Sequence, residues 1–162
     1  MVASPWFRRA LTEDGFAESQ RSETDGLFYV EAEDWDAEAF LLILNIFHLR
    51  NKQVPRTVSL EMLAKVALLV DYYHCGEAIE LFTEMWIADL KKVAIPTIYS
   101  RDLILWIWVS GVFDMADRYK QATGVAIRRS TGFIRTLGLP IEPGVSGTSL
   151  VAIPSDCSTE RL

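Results

Sequence analysis

From residue 60 to residue 90 hydrophobic positions recur so densely that they predict two helices, hinged at Cys75 and Gly76. In the first, Leu60, Met62, Leu63, Ala64, Val66, Ala67, Leu68, Leu69, Val70, Tyr72 and Tyr73 leave almost no polar face, so this helix is expected to be enclosed. Glu61 and Lys65 are its clearly solvated positions, spaced as an i,i+4 pair. The second helix is amphipathic, burying Ala78, Ile79, Phe82, Trp86 and Leu90. Its acids, Glu77, Glu80 and Glu84, stand towards its start, and Lys91 and Lys92 at its end, the order the helix dipole favours. Gly76 is the expected helix stop between the two.

Other elements are arranged around this pair. Residues 4–11 (SPWFRRAL) predict a short helix with Ser4 as cap, Pro5 in the first turn, and Trp6 or Phe7 with Leu11 turned inward. Residues 12–25 are polar and acidic and read as a loop. Residues 27–31 (LFYVE) alternate and are rich in aromatic and branched side chains, which predicts a strand, although one strand cannot stand alone. Asp34 is placed to cap a helix over residues 35–49 that turns Phe40, Ile43, Leu44 and Phe47 to one side. A basic loop, RNKQVPRT, follows at residues 50–57; Pro55 prevents helix there, and Ser59 caps the first central helix.

Beyond residue 92, a connector holding Pro96 leads to Ser100 and Asp102, which open a buried helix over the run LILWIWV; Ser110 and Gly111 are expected to interrupt it. Helix resumes over residues 112–121, with Phe113, Ala116 and Tyr119 inward. A last helix over residues 123–137 buries Val125, Ile127, Phe133, Ile134 and Leu137 before Gly138 and Pro140 end it. Residues 141–162, rich in Gly, Ser, Thr and Pro, read as a mobile tail. The expected division is a core over residues 1–92, a helical extension packed on it over 93–140, and the tail.

Composition narrows the function classes. The chain has 162 residues, half of them hydrophobic, and a net charge of −6, which places it with acidic globular proteins and argues against nucleic acid as partner. The charge is uneven. Residues 13–38 hold ten acids against Arg21 alone, and residues 118–135 hold five bases and no acid. The bland account is two solvated faces of opposite sign; the sharper one assigns a basic partner to the first and a polyanion to the second. The apolar run at 103–109 has seven residues, far short of the roughly 20 a membrane span needs. No secretory signal pattern opens the chain, and Cys75 and Cys157 are poorly placed for a disulfide framework. An intracellular protein, cytoplasmic or nuclear, is expected.

Catalytic chemistry is poorly supplied. His48 and His74 are the only imidazoles, and His74 beside Cys75 lacks a second Cys/His pair to complete a zinc site. There is no G-x-S-x-G elbow, no G-x-x-x-x-G-K-[ST] loop and no G-x-G-x-x-G fingerprint. Glu33, Asp34, Asp36 and Glu38 fall where helix-capping acids are expected. Trp35, Trp86, Trp106 and Trp108 sit in apolar helical runs that suit core packing. No metal, cofactor or small-molecule substrate is expected.

The order of these features resembles the BTB/POZ domain. Ser4, Pro5 and Phe7 match its S-P-x-F, and Gly15, Phe16, Glu18 and Ser19 its G-F-x-E-S turn. Residues 34–44 match a helix of the type x-x-x-F-x-x-x-L; Leu60 or Leu63, Ala67, Asp71, Tyr73 and Cys75 are similar to its Leu-to-Cys pattern. The likeness covers residues 4 to about 90, and the later part resembles the helical extension of fungal BTB-like proteins. Members of that family carry two strands and a helix ahead of S-P-x-F, whereas this chain starts at that segment. Either the chain is a fragment or start-site variant, or it has remodelled that edge. An unpaired strand edge then makes the protein sticky or partner-dependent.

The resemblance implies an α+β, predominantly α-helical fold, a truncated BTB/POZ-like core with a C-terminal helical extension. It implies a protein-interaction module without catalysis, serving self-association or scaffolding, or recruiting substrates to a cullin-type ubiquitin ligase. In such adaptors the loop matching residues 47–55 meets the cullin, which makes Phe47, Leu49, Asn51 and Val54 candidate contacts, although that loop lacks a convincing hydrophobic-x-Glu signal. Leu27 and Tyr29 on the strand edge are the other two. From another class, a helical enzyme or small-ligand carrier would use the interior around Trp86, Trp106, Trp108 and Phe113 as a pocket.

Overall fold

The computed structural model describes residues 4–12, 19–30, 35–129 and 139. Among them are six α-helices, α1 (Pro5–Thr12), α2 (Ala37–Phe47), α3 (Leu60–Tyr73), α4 (Gly76–Leu90), α5 (Arg101–Val112) and α6 (Ala116–Arg129), with a 3₁₀ turn at Asn51–Gln53. The chain is predominantly helical, and no strand occurs among the described residues.

Helix α3 is the centre, as its all-round apolarity demands. Leu63, Ala64, Val66, Ala67, Leu69 and Val70 are all buried, with α2, α4 and α5 packed around them. Helix α5 is buried from Leu103 to Ser110 and lies between α3 and α6. The buried positions of α6 are Ala122 and Ala126, whose small side chains let its backbone approach α5 closely. Buried side chains of α2 through α6, with Val54, Ile95 and Leu139, form one hydrophobic core.

Several local features behave as the sequence predicts. Ser59 accepts from the Met62 amide and Ser100 from the Leu103 amide, starting α3 and α5. Ser4 starts α1 by accepting from the amides of Trp6 and Phe7. Its hydroxyl also donates to the Tyr73 carbonyl at the end of α3, so one buried side chain caps two helices.

Other expectations are corrected. The strand expected at residues 27–31 does not form over its described part, which is irregular chain following a tight turn. Gly26 takes φ 71°, its amide bonds the Ser22 carbonyl, and a single antiparallel bridge joins Arg21 to Phe28. Asp25 accepts from the Leu27 amide and the Tyr29 hydroxyl, so local bonds hold this segment where a neighbouring strand would have been needed. Asp36, rather than Asp34, caps α2 through the Ala39 amide; Asp34 lies outside the described residues. The buried stripe of α2 is Ala39, Leu42, Ile43 and Ile46, rotated from the expected one, and Phe40, Leu44 and Phe47 are half-buried.

Gly76 does not stop α3. His74 takes the left-handed cap, φ 49°, and Gly76 is the first residue of α4. Helix α5 runs through Ser110 and Gly111 to Val112, and the buried Ser110 hydroxyl is satisfied within the helix by donating back to the Trp106 and Ile107 carbonyls. The expected break near residue 122 is also absent, since α6 is continuous there. Ala78, Ala116 and Ile127, expected inside, are exposed; Phe133, Ile134, Leu137 and the tail at 141–162 lie outside the described residues. Glu61 and Lys65 do not pair with each other. Glu61 binds Arg101 of α5 and Lys65 binds Asp36, at 2.8 Å, tying α3 to its neighbours on both sides.

Candidate protein-interaction surface

The loop between α2 and α3 is built by the way α2 ends. His48 is the last cap, the Leu49 amide bonds the Ile46 carbonyl at 3.0 Å, and the Arg50 amide bonds the Asn45 carbonyl at 2.8 Å. These two bonds make a Schellman motif, which requires its C′ residue in the left-handed region and so usually holds glycine. Here that residue is Leu49, at φ 56°. A leucine forced there costs roughly 1–2 kcal/mol. Nothing is recovered by burial, for its side chain is 81% exposed, the highest among the large hydrophobic residues described.

Beyond Leu49 the loop is fastened down. The Gln53 amide bonds the Arg50 carbonyl, Val54 inserts into the core at 6% exposure, and the Pro55 carbonyl accepts Trp86 Nε1 at 2.8 Å from fully buried Trp86 on α4. What stays outside is Leu49 together with Arg50, Asn51, Lys52, Gln53 and Arg56. No acid occurs between Glu38 and Glu61. None of the three cations forms an ion pair among the described residues. The loop is therefore a rigid, cationic projection carrying one bare leucine.

The six candidate contacts fall into different settings. Leu49 and Asn51 are exposed on this loop. Val54 is a core residue and is unavailable to a partner. Phe47 is half-buried against Phe7, with ring centroids 6.2 Å apart. Leu27 and Tyr29 are 59% and 60% exposed just after the turn, where the Arg21 guanidinium lies 4.7 Å over the neighbouring Phe28 ring.

A second surface was not singled out from the sequence. The outer side of α4 exposes Glu77, Glu80 and Glu84 around Leu81, which is 75% exposed. The signal was present, since Leu81 falls outside the apolar stripe formed by Ile79, Phe82 and Trp86.

The remaining reactive or aromatic groups have structural surroundings. Burial pushes the Cys75 thiol up to about 11, which holds it protonated and a poor nucleophile. Tyr73 is buried at the hub of an aromatic cluster, stacked on Phe7 at 4.8 Å and edge-on to Trp6 at 4.9 Å; burial raises its phenol. Trp86, Trp106 and Trp108 are core residues, and the Trp108 indole donates to the Ala64 carbonyl. Arg118, first of the basic run, is committed inside the fold. It donates to the Lys91 carbonyl at 2.7 Å, capping α4, and its guanidinium lies 4.4 Å over the Trp106 ring. An open cleft of about 720 Å³ between the end of α4 and the α5–α6 turn is lined by charges of both signs, and by Phe113 but by none of the tryptophans. Among the described residues no three His, Cys, Asp or Glu side chains gather as a metal site, and no helix is long and apolar enough to cross a membrane.

No family model matches the chain, and no curated protein or solved structure matches it.

Proposed function

We propose that this chain is a protein-interaction module that works by surface complementarity, with the loop after α2 as its docking element. The observation that carries the reading is Leu49. Its backbone is held in a conformation unfavourable for leucine while its side chain is left in water beside Arg50, Lys52 and Arg56. A residue that costs stability and contributes no packing is explained by work at the surface. The BTB/POZ-like core belongs to the same proposal. It is supported by the convergence of motif residues Ser4, Phe7, Phe40 and Tyr73 at one end of α3, where Ser4 bonds Tyr73 and both rings lie against it.

The test is affinity capture with the folded wild-type chain beside Leu49→Asp and Arg56→Glu variants, with bound proteins identified by mass spectrometry. Partners held by wild type and lost by both variants support the reading; the same proteins held by all three reject it.

Recruitment to a cullin-type ubiquitin ligase is the narrower reading. It is favoured by the identity of this loop with the segment that the resemblance assigns to cullin contact. A cullin pull-down that stays empty with folded protein removes it and leaves the broader reading in place.

A further inference from the structure

We infer that a second copy of this chain is a partner of the docking loop, and that the copies join head to tail, the loop of one seated on the outer face of α4 of the next. This rests on the loop being a docking element and names what it docks to. The two surfaces are complementary in kind and in charge. The loop presents Leu49 among Arg50, Lys52 and Arg56, and α4 presents Leu81 among Glu77, Glu80 and Glu84. On α4, Glu77 and Glu84 stand about one turn to either side of Leu81, so a leucine laid against it is flanked by carboxylates. Each surface alone exposes a large apolar side chain with unpaired like charges around it; together they cover both leucines and pair the charges.

The geometry makes the pairing heterologous. The loop is fastened to α4 through Trp86, five residues beyond Leu81, and residues so spaced project about 140° apart around the helix axis. Loop and acidic face therefore point to different neighbours, and a contact between them propagates into rings or open chains of copies unless the rotation closes it at once. The patches are small and largely electrostatic, so association is weak and sensitive to ionic strength.

Light scattering behind size-exclusion chromatography tests this on the full chain, with circular dichroism to confirm that each variant is folded. Wild type at low salt and high concentration is expected to give species larger than a dimer, which collapse to monomer near 1 M salt, where the Debye length is about 3 Å. A loop variant, Arg50→Glu with Arg56→Glu, and an α4 variant, Glu80→Arg with Glu84→Arg, are each expected to be monomeric at low salt. The loop variant keeps the acidic face and the α4 variant keeps the basic loop, and their two reversed surfaces also complement each other, so an equimolar mixture should assemble again into alternating species larger than a dimer. A chain carrying all four substitutions has both charges exchanged and should assemble again. A wild type that is monomeric throughout, variants that assemble as wild type does, or a mixture that stays monomeric overturns the head-to-tail contact. Capture of other proteins through Leu49 would survive such a result, so failure of this contact is separable from failure of the docking-loop reading.

Discussion

Trp86 Nε1 donates a 2.8 Å hydrogen bond to the Pro55 carbonyl, joining the buried side of α4 to the loop that carries Leu49. The indole is fully buried, so the loop takes its position from the core. Replacing Trp86 by Phe keeps an aromatic ring but removes the donor and some volume. We expect it to cost about 1–3 kcal/mol in urea unfolding. The amides of Gln53 and Val54, both bonded within the loop, should also exchange faster. Unchanged exchange at those two amides would mean that the bond does not hold the loop.

Leu49→Gly should act in the opposite direction on stability. Glycine takes the left-handed C′ position without the steric cost that leucine carries at φ 56°. Because the exposed side chain contributes little packing, the variant should be more stable by about 1 kcal/mol, with weaker capture of partners. A chain that gains stability and loses binding is the pattern of a residue retained for function. If Leu49→Gly instead destabilises the fold, the leucine has a structural contact that its exposure does not reveal.

The double cap at Ser4 gives a third expectation. Ser4→Ala removes the acceptor for the Trp6 and Phe7 amides and the donor to the Tyr73 carbonyl in one step. The loss should be about 1–3 kcal/mol, with α1 released first. Tryptophan fluorescence should report that release, since Trp6 is set edge-on to Tyr73. Loss of stability without a change at Trp6 would place the damage elsewhere.

Where local rules decide, the sequence was readable. Ser59 sits one residue and Ser100 three residues ahead of an apolar run, each caps the helix it announces, and the all-round apolarity of residues 60–73 foretold an enclosed helix. Long-range partners decide the rest. Glu61 and Lys65 have the spacing of a helix pair, yet Arg101 and Asp36 reach them from other elements. Ser110 beside Gly111 looks like a break only until the serine hydroxyl is seen bonding back to the preceding turn. Residues 27–30 have strand composition, but the Leu27 amide and the Tyr29 hydroxyl among them bond locally to Asp25. The loop proposed to dock partners was picked out by resemblance; its strained leucine was not readable, because nothing in the composition of that loop predicts leucine in a left-handed position.

The Asp36–Lys65 pair gives a pH dependence. The Lys65 ammonium, and then the Ala39 amide, hold the Asp36 carboxyl below its ordinary 3.8. A carboxyl depressed by folding stabilises the protein above the unfolded value, and that contribution is lost as pH falls through the folded one. Asp36→Asn keeps an acceptor for the Ala39 amide but removes the charge. It should be less stable than wild type by on the order of 1 kcal/mol at pH 7, a gap that closes at acidic pH. A gap that persists at pH 2 would point to the cap rather than the ion pair.

At the alkaline end Cys75 works in the reverse sense. Burial raises its thiol from the ordinary 9.0 to about 11, because the core around Val70 and Ile79 excludes the thiolate. A group that binds its proton more tightly when folded contributes fully below pH 9 and loses that contribution as pH rises towards 11. The full effect is on the order of 2–3 kcal/mol. Tyr73, raised by burial beside it, adds a loss of the same sign above pH 10. Cys75→Ala gives up some packing at neutral pH but should lose less further stability between pH 8 and 11 than wild type does. In a Cys157→Ser background, which leaves Cys75 as the one thiol, the native protein should also resist a thiol reagent at pH 8 until it is unfolded. Rapid labelling of the folded chain would show that Cys75 reaches solvent and would remove both the raised pKa and its alkaline penalty.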